Sequence, residues 1–313
     1  MARPEPAWVP PLRDGVQASR VAFSAGAGTP LLDFLLARMS RVTDWPARLA
    51  RGDVLDASGR PLAADASCVP GAVLWYWRSP PAEPRVPFEI ELLHQDEYLV
   101  AVDKPHFLAV IPGGRHLQET VLVRLTRQLG IPTLAPMHRL DRDTAGVLLF
   151  IVQPATRHAY HSLLRDRQVH KVYEAVAPWR AGLALPLTCR SRLEQRSDRS
   201  FMQMQEVAGE ANAQTLVELI RRLAPAAGDL AHYRLTPLTG RRHQLRVQMS
   251  GLGLPILGDR IYPTLWPEPA ADAAPDYAQP LQLLARELAF TDPITGQARH
   301  FASRRRLQLA GEP

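Results

Sequence analysis

At 313 residues the chain is long enough for one large domain or two, and 46% hydrophobic with 22% charged residues is the composition of a folding protein. The net charge of +6 favours a polyanionic partner, nucleic acid above all. No apolar run approaches the ~20 residues of a membrane helix, the proline-rich start lacks an apolar secretory core, and the distant Cys68 and Cys189 form neither a disulfide framework nor a zinc motif, so a cytoplasmic protein is expected.

Residues 1–28 read as a flexible arm and 29–80 as a small unit. In "TPLLDFLLARM" the spacing of Leu31, Leu32, Leu35 and Leu36 predicts a helix. A short helix, a strand, an "ASGR" turn and a last strand at 72–77 follow. The proline-rich "SPPAEPRVP" at 79–87 is a linker. From Phe88, "FEIELLHQDEYLVAVDKP" predicts two strands around a turn, and "LQETVLVRLTRQLG" an amphipathic helix. A buried strand at 146–152, a helix at 156–168 and an alternating strand at 171–178 come next. "ANAQTLVELIRRL" and "LAHYRLTPLTG" are two more strands, "RRHQLRVQMSGLG" a basic helix, and "ELAFTDPITGQARHFAS" a hairpin. Residues 264–280 read as a mobile insertion. Strands without regular βαβ alternation predict an α+β protein with a mixed, largely antiparallel central sheet flanked by helices.

The chemistry-bearing stretch is "MHRLDRDTAGVLLF", 137–150, where Asp141 sits between Arg139 and Arg142 at the edge of an apolar run. A buried carboxylate is costly unless it is paired and hydrogen-bonded. Asp141 is therefore either a structural ion pair or a reactive acid, kept ionised by a positive neighbour. If 241–249 is helical, Arg242 and Arg246 lie one turn apart on one face, able to meet phosphates, although a solvated basic face is the commoner use of such a pattern. Alternation puts Lys171 and Tyr173 on one face of their strand, where the tyrosine serves as a base, a stacking ring or plain core. "GLPILGDRIYP", with Asp259 and Tyr262, reads in isolation as a turn. His158 and His161 have i,i+3 spacing, but no further ligand completes a metal site, and no phosphate-binding or dinucleotide-binding loop is present.

Taken in order, these segments resemble the RluA family of pseudouridine synthases. The family's HRLD-x-x-T-S-G signature is similar to "HRLDRDTAGVLLF", its K-x-Y-x-A strand to "KVYEA", and its G-R-[TS]-H-Q-[IL]-R-V-H helix to "GRRHQLRVQ". Its later motifs resemble "GLPILGDRIY" and "AFTDPITG", and its opening K-P strand pair resembles "EYLVAVDKP". The matches run over about 88–302, within a catalytic domain assigned to 88–313. Ala145, Arg242, Gln248, Leu254 and Asp292 depart from the family pattern. Residues 29–80 look like a degenerate form of the small RNA-binding domain of the ribosomal-protein-S-four type, a small α/β unit.

The resemblance implies a pseudouridine synthase fold and isomerisation of uridine in RNA, ribosomal or transfer, without cofactor or metal. It implies Asp141 as the catalytic group at C1′, Arg246 as its partner, and Tyr173 as the ring stacked on the target base. Arg139 is implied in filling the gap left by the extruded base. Lys171, Arg241, Arg242 and His243 are implied in RNA contacts. A monomer is the expected state. Two competing readings stand beside this one. A retaining glycosidase-like hydrolase requires a second carboxylate about 5 Å away. A non-catalytic RNA-binding module requires neither Asp141 nor Arg246.

Overall fold

The computed structural model describes residues 8–23, 28–40, 42–78, 83–114, 116–196, 203–224, 228–267 and 274–310. Two compact units are present: 1–83 with 112–118 and 123–132, and 84–111 with 119–122 and 133–313. The sequence expectation of consecutive domains at 29–80 and 88–313 is thus revised, because two later segments join the first unit.

In the smaller unit, strand β1 (Ser19–Ala22), helices α1 (Leu31–Arg38) and α2 (Trp45–Ala50), and strands β2 (Val54–Leu55) and β3 (Val73–Tyr76) follow in chain order. The sheet order is β1-β3-β2. The expected flexible arm over 1–28 is corrected here, since Ser19–Ala22 pairs antiparallel with Val73–Tyr76. Leu31, Phe34 and Leu35 form the buried stripe of α1 at the i, i+3, i+4 spacing and pack with Trp45, Leu49, Val54 and Leu74.

The larger unit continues with β4 (Glu91–Gln95), β5 (Leu99–Lys104), α3 (Val121–Leu129), which spans the division between the units, β6 (Ala135–Pro136), β7 (Ala145–Ile151) and α4 (Arg157–Arg165). Then come β8 (His170–Pro178), β9 (Leu187–Gln195), β10 (Met204–Val207), β11 (Ala213–Arg222), β12 (Leu230–Pro237), α5 (Gln244–Gly251), β13 (Leu283–Thr291) and β14 (Ala298–Ala302). The sheet runs β10-β9-β11-β12-β8-β13-β7-β5-β4, with β14 beside β13 and β6 beside β7. The β13–β7 pairing is parallel and the other pairings are antiparallel, the mixed α+β sheet expected from the sequence.

Helix α4 lays Tyr160 and Leu163 on Leu99, Ala101, Val147, Leu149 and Ile151, while α5 lays Leu245 and Met249 on Ala175, Val217, Tyr233 and Leu235. Each fully buried leucine of this kind contributes about 1.5–3 kcal/mol. Every residue of "AGVLLFI" in β7 is buried, which is why this strand reads as a continuous apolar run rather than an alternating one. At its start Gly146 has φ +112°, and a Cβ there would stand 2.2 Å from Ala285 O. Only glycine lets β7 lie this close to β13. The ladder then runs from Gly146 to Ala285 to Tyr173 to Leu235 across the middle of the sheet, so the turn before β7 and the inward side chains of β8 share one neighbourhood.

Among the departures, Leu254 and Gln248 are buried and Asp292 organises its own turn, accepting from Tyr160 Oη, Ile294 N, Thr295 N and Arg299 Nε. Parts of three sequence expectations lie outside the described residues: 1–7 and 24–27 of the arm, 79–82 of the linker and 268–273 of the insertion. Of the described parts of the 264–280 segment, 264–267 are exposed, while Tyr277 meets Phe88 and Phe107 edge-on at ring distances of 5.4 and 5.2 Å.

Candidate active site

The turn 141–144 between β6 and β7 is fastened from below through its backbone. Lys104, fully buried at the end of β5, donates from Nζ to Pro105 O, Leu108 O and Arg142 O at 2.8–2.9 Å. Burial brings this ammonium down to about 7 against the upward pull of Asp143 and Asp141. His106 Nδ1 donates to Asp143 O at 2.6 Å, and Thr144 N closes the turn on Asp141 O at 3.1 Å. His138 Nε2 accepts from Leu149 N at 3.3 Å, and burial depresses this imidazole to about 3, so it is a neutral structural acceptor. Alternate residues of "HRLD" therefore part ways. Leu140 is buried, Arg139 is exposed, and Asp141 presents a side chain 29% exposed to a cleft.

Arg246 reaches Asp141 from α5. Its Nη1 donates to Asp141 Oδ2 at 2.8 Å, while Nε and Nη2 grip Asp259 Oδ2 and Oδ1 at 2.8 and 2.6 Å. Asp259 also accepts from Ile261 N and Tyr262 N. Gly258 makes that turn possible: φ is +74°, and a Cβ would stand 2.5 Å from Pro280 O. Burial alone pushes Asp141 upward, but His243 and Arg246 outweigh it, and the carboxyl lies below its ordinary value. Burial likewise opposes the charge on Arg246, and the two carboxylates more than restore it.

The basic segment differs from its sequence expectation. Helix α5 begins at Gln244, not at Arg241, because His243 adopts a left-handed φ of +52°. Arg242 and Arg246 therefore share no helical face. The solvated basic face is also excluded, since Gln244 through Met249 are all buried. Gln244 braces the preceding loop, accepting from Thr239 Oγ1 and Arg241 N and donating to Gln214 O and Thr215 Oγ1. Arg241 is exposed at the cleft and ties back through Nε to Asn212 O at 3.1 Å. Arg242 is exposed but does not line the cleft.

Lys171 and Tyr173 form the wall on β8, side by side as alternation predicts. Burial, reinforced by the negative charge of Asp141, pushes the Tyr173 phenol well above its ordinary value, so it is protonated at neutral pH and is a ring and a donor rather than a ready base. Among the described residues Lys171 pairs with no carboxylate, and burial lowers its ammonium. The cleft opens to solvent beside the Tyr173 ring, and Asp141 is the one carboxylate among its described lining residues.

The structure thus brings together Arg139, Asp141, Lys171, Tyr173, Arg241, His243 and Arg246, and leaves Arg242 outside. His243 moves from the expected RNA-contacting set: its side chain is 7% exposed, with Nε2 3.8 Å from Asp141 Oδ1. Asp259 and Tyr262 read in isolation as a turn and, through the resemblance, as part of a family motif with no role attached. Their signal was the "GDRIY" string, but its fold-back onto Arg246 is a tertiary fact. His158 and His161 lie on α4, and no group of three potential metal ligands occurs among the described residues. No described helix is long and apolar enough to cross a membrane.

A family model described as RNA pseudouridylate synthase matches residues 98–251. The chain is 34% identical over 231 residues to the dual-specificity RNA pseudouridine synthase RluA of Escherichia coli, covering 71% of this chain and 94% of that protein. It is 31% identical over 235 residues to an uncharacterized RNA pseudouridine synthase of Synechocystis, covering 74% of this chain and 79% of the other. Its fold is similar to the solved human RNA pseudouridylate synthase domain containing 1, with a TM-score of 0.56 at 20% identity over 72% of this chain and 86% of that one.

Proposed function

This chain belongs to the RluA branch of the RNA pseudouridylate synthases, and we propose that Asp141 is the carboxylate with which it detaches uracil from ribose. The enzyme is an isomerase: uridine within RNA becomes pseudouridine. In that conversion the C1′–N1 bond breaks, the ring turns, C1′ bonds to C5, the C5 proton leaves and N1 takes up a proton, so atoms balance without a co-reactant.

One observation carries the assignment. Asp141 is ionised, is held by Arg246 through Oδ2 alone, and among the described residues no hydrogen bond reaches Oδ1. A poorly solvated, oriented carboxylate with one free oxygen suits attack at C1′, and equally suits removal of a ribose proton on the way to a glycal. Tyr173 supplies the face on which the target base stacks, and Arg139, exposed at the rim, fills the gap that base leaves. Flipping a base out of a stem costs a few kcal/mol, roughly. Phosphate contacts from Lys171, Arg241 and Arg242 offset that cost. The substrate is ribosomal or transfer RNA, the small unit is an accessory RNA-binding module, and the enzyme works as a cytoplasmic monomer. The glycosidase reading lacks its second carboxylate: Asp141 is the one acid among the described cleft-lining residues, and Asp259 is tied to Arg246.

Tritium release from RNA transcribed with 5-tritiated uridine, run on transfer and ribosomal RNA pools, tests this. Wild type releases tritium from one pool, and Asp141→Asn, still folded and RNA-binding, releases none. Full turnover by Asp141→Asn overturns the role of Asp141, and release of free uracil overturns the isomerase chemistry.

A further inference from the structure

Two arms reach Asp141 from the segment 259–262. The first is Asp259–Arg246, which ends on Oδ2. The second points at the other oxygen. Met204 N in β10 donates to Tyr262 Oη at 2.7 Å, and Tyr262 Oη lies 3.0 Å from His243 Nδ1. The far nitrogen of that ring, Nε2, stands 3.8 Å from Asp141 Oδ1. Both ends of the arm are enclosed: Tyr262 is 6% exposed, and the His243 side chain 7%.

The protons of this chain can be assigned. A phenol carries one proton. Tyr262 Oη already accepts from a backbone amide that has no choice but to donate. Its own proton then goes to the nearest acceptor, His243 Nδ1. An imidazole that accepts at Nδ1 bears its hydrogen on Nε2, and Nε2 faces the oxygen that Arg246 leaves free. We infer that His243 is a positioning residue for Asp141, fixed by Tyr262 as the neutral Nε2–H tautomer and aimed at Oδ1.

The surroundings agree. Arg242, Arg246, Asp141 and Asp259 are the charged groups that bear on His243, and Tyr262 is its neutral partner. Burial and the two arginines oppose a second cation, and the net effect holds the imidazole below its ordinary value. A neutral donor also leaves the carboxylate more nucleophilic than an imidazolium would. The left-handed backbone at His243, φ +52°, is unusual for a residue with a side chain and is what turns the ring inward. A gap of 3.8 Å is too long for a hydrogen bond, so in this structure Nε2 approaches Oδ1 without bonding it, and a movement of less than 1 Å, roughly, closes the contact. The inference rests on Asp141 being the reacting group.

The test reads the tautomer directly. In the full-length protein labelled with imidazole ¹⁵N-histidine, long-range ¹H–¹⁵N spectra at neutral pH identify the His243 signals by their loss in His243→Gln. The expected pattern is an unprotonated Nδ1 and a protonated Nε2, replaced by mixed tautomers in Tyr262→Phe. That variant loses about tenfold in kcat with KM nearly unchanged, the scale of one lost hydrogen bond to a charged group. His243→Gln, whose amide can occupy the Nε2 position, keeps more kcat than His243→Ala, which also serves if Tyr262→Phe misfolds. A protonated Nδ1 in wild type, or wild-type kcat in His243→Ala, overturns the inference. Full activity in Asp141→Asn instead overturns the assignment beneath it, while the tautomer pattern stands on its own.

Discussion

Arg246 divides its guanidinium between two carboxylates, and the division is unequal: Asp259 takes Nε and Nη2, and Asp141 takes Nη1 alone. The fork with Asp259 is buried on both sides, so it fixes the plane of the guanidinium before substrate arrives. A lysine keeps the charge but cannot make both contacts. Arg246→Lys is therefore expected to fold and to lose about 10²-fold in kcat, the cost of a misplaced reacting group. Near-wild-type tritium release would mean that charge alone suffices. At this scale Asp141, Tyr173 and Arg246 were legible from ordered motifs. Asp259 was not, because 13 residues of sequence separate it from the arginine it orients. His243 was legible as a residue but not in its direction, which depends on one backbone angle.

At the scale of elements, three strands of the central sheet are joined by one side chain. Glu174 on β8 accepts from Arg286 Nε and Nη2 on β13 at 2.9 Å and stands 3.1 Å from His232 Nε2 on β12. Burial pushes this carboxyl up, but the His232 and Arg286 hydrogen bonds outweigh it and bring it down to about 2, from an ordinary 4.5. Between those values the unfolded chain binds the extra proton. The contribution to stability is therefore complete above the ordinary value and is lost as pH falls towards about 2. Glu174→Gln is expected to be less stable at neutral pH by about 2 kcal/mol and to show a flatter fall in Tm on acidification below about pH 4.5. Parallel curves for the two proteins would assign the acid sensitivity to other carboxylates. The strands most legible in the sequence are those buried on both faces, such as β7. Strands β9 and β10 are not legible because "LTCRSRLEQ" and "MQEV" are partly covered or exposed apart from the buried Leu193, with too little apolar content to announce a strand. Strand β1 escaped for a different reason: four residues gain their structure from β3, far along the chain.

For the whole molecule, charge is the property that composition revealed first and the fold then distributed. Several of the cations are spent internally: Arg246, Arg286 and Arg299 serve carboxylates, and Lys104 serves backbone carbonyls. The net +6 is thus a poor guide to where RNA lies, and the proposed RNA path rests instead on the cations at the cleft, Arg139, Lys171 and Arg241. A sequence count cannot separate these classes, since buried and rim arginines look alike until the chain folds. The separation has a measurable consequence. Rim cations that meet phosphates release counterions, and log affinity then falls linearly with log salt, by about 0.7 per single-stranded phosphate contact. Raising monovalent salt is expected to raise KM and to leave kcat nearly constant, because the Arg246–Asp259 fork that orients Asp141 is shielded from solvent. Arg241→Gln should reduce the slope of log KM against log salt by about 0.7, whereas Arg139→Gln, which removes the group proposed to fill the gap of the flipped base, should lower kcat with the slope nearly unchanged. If Arg241→Gln leaves the slope unchanged while lowering kcat, that arginine acts on the flipped base rather than on the phosphate track, and the path of RNA across the cleft must be redrawn on the remaining cations.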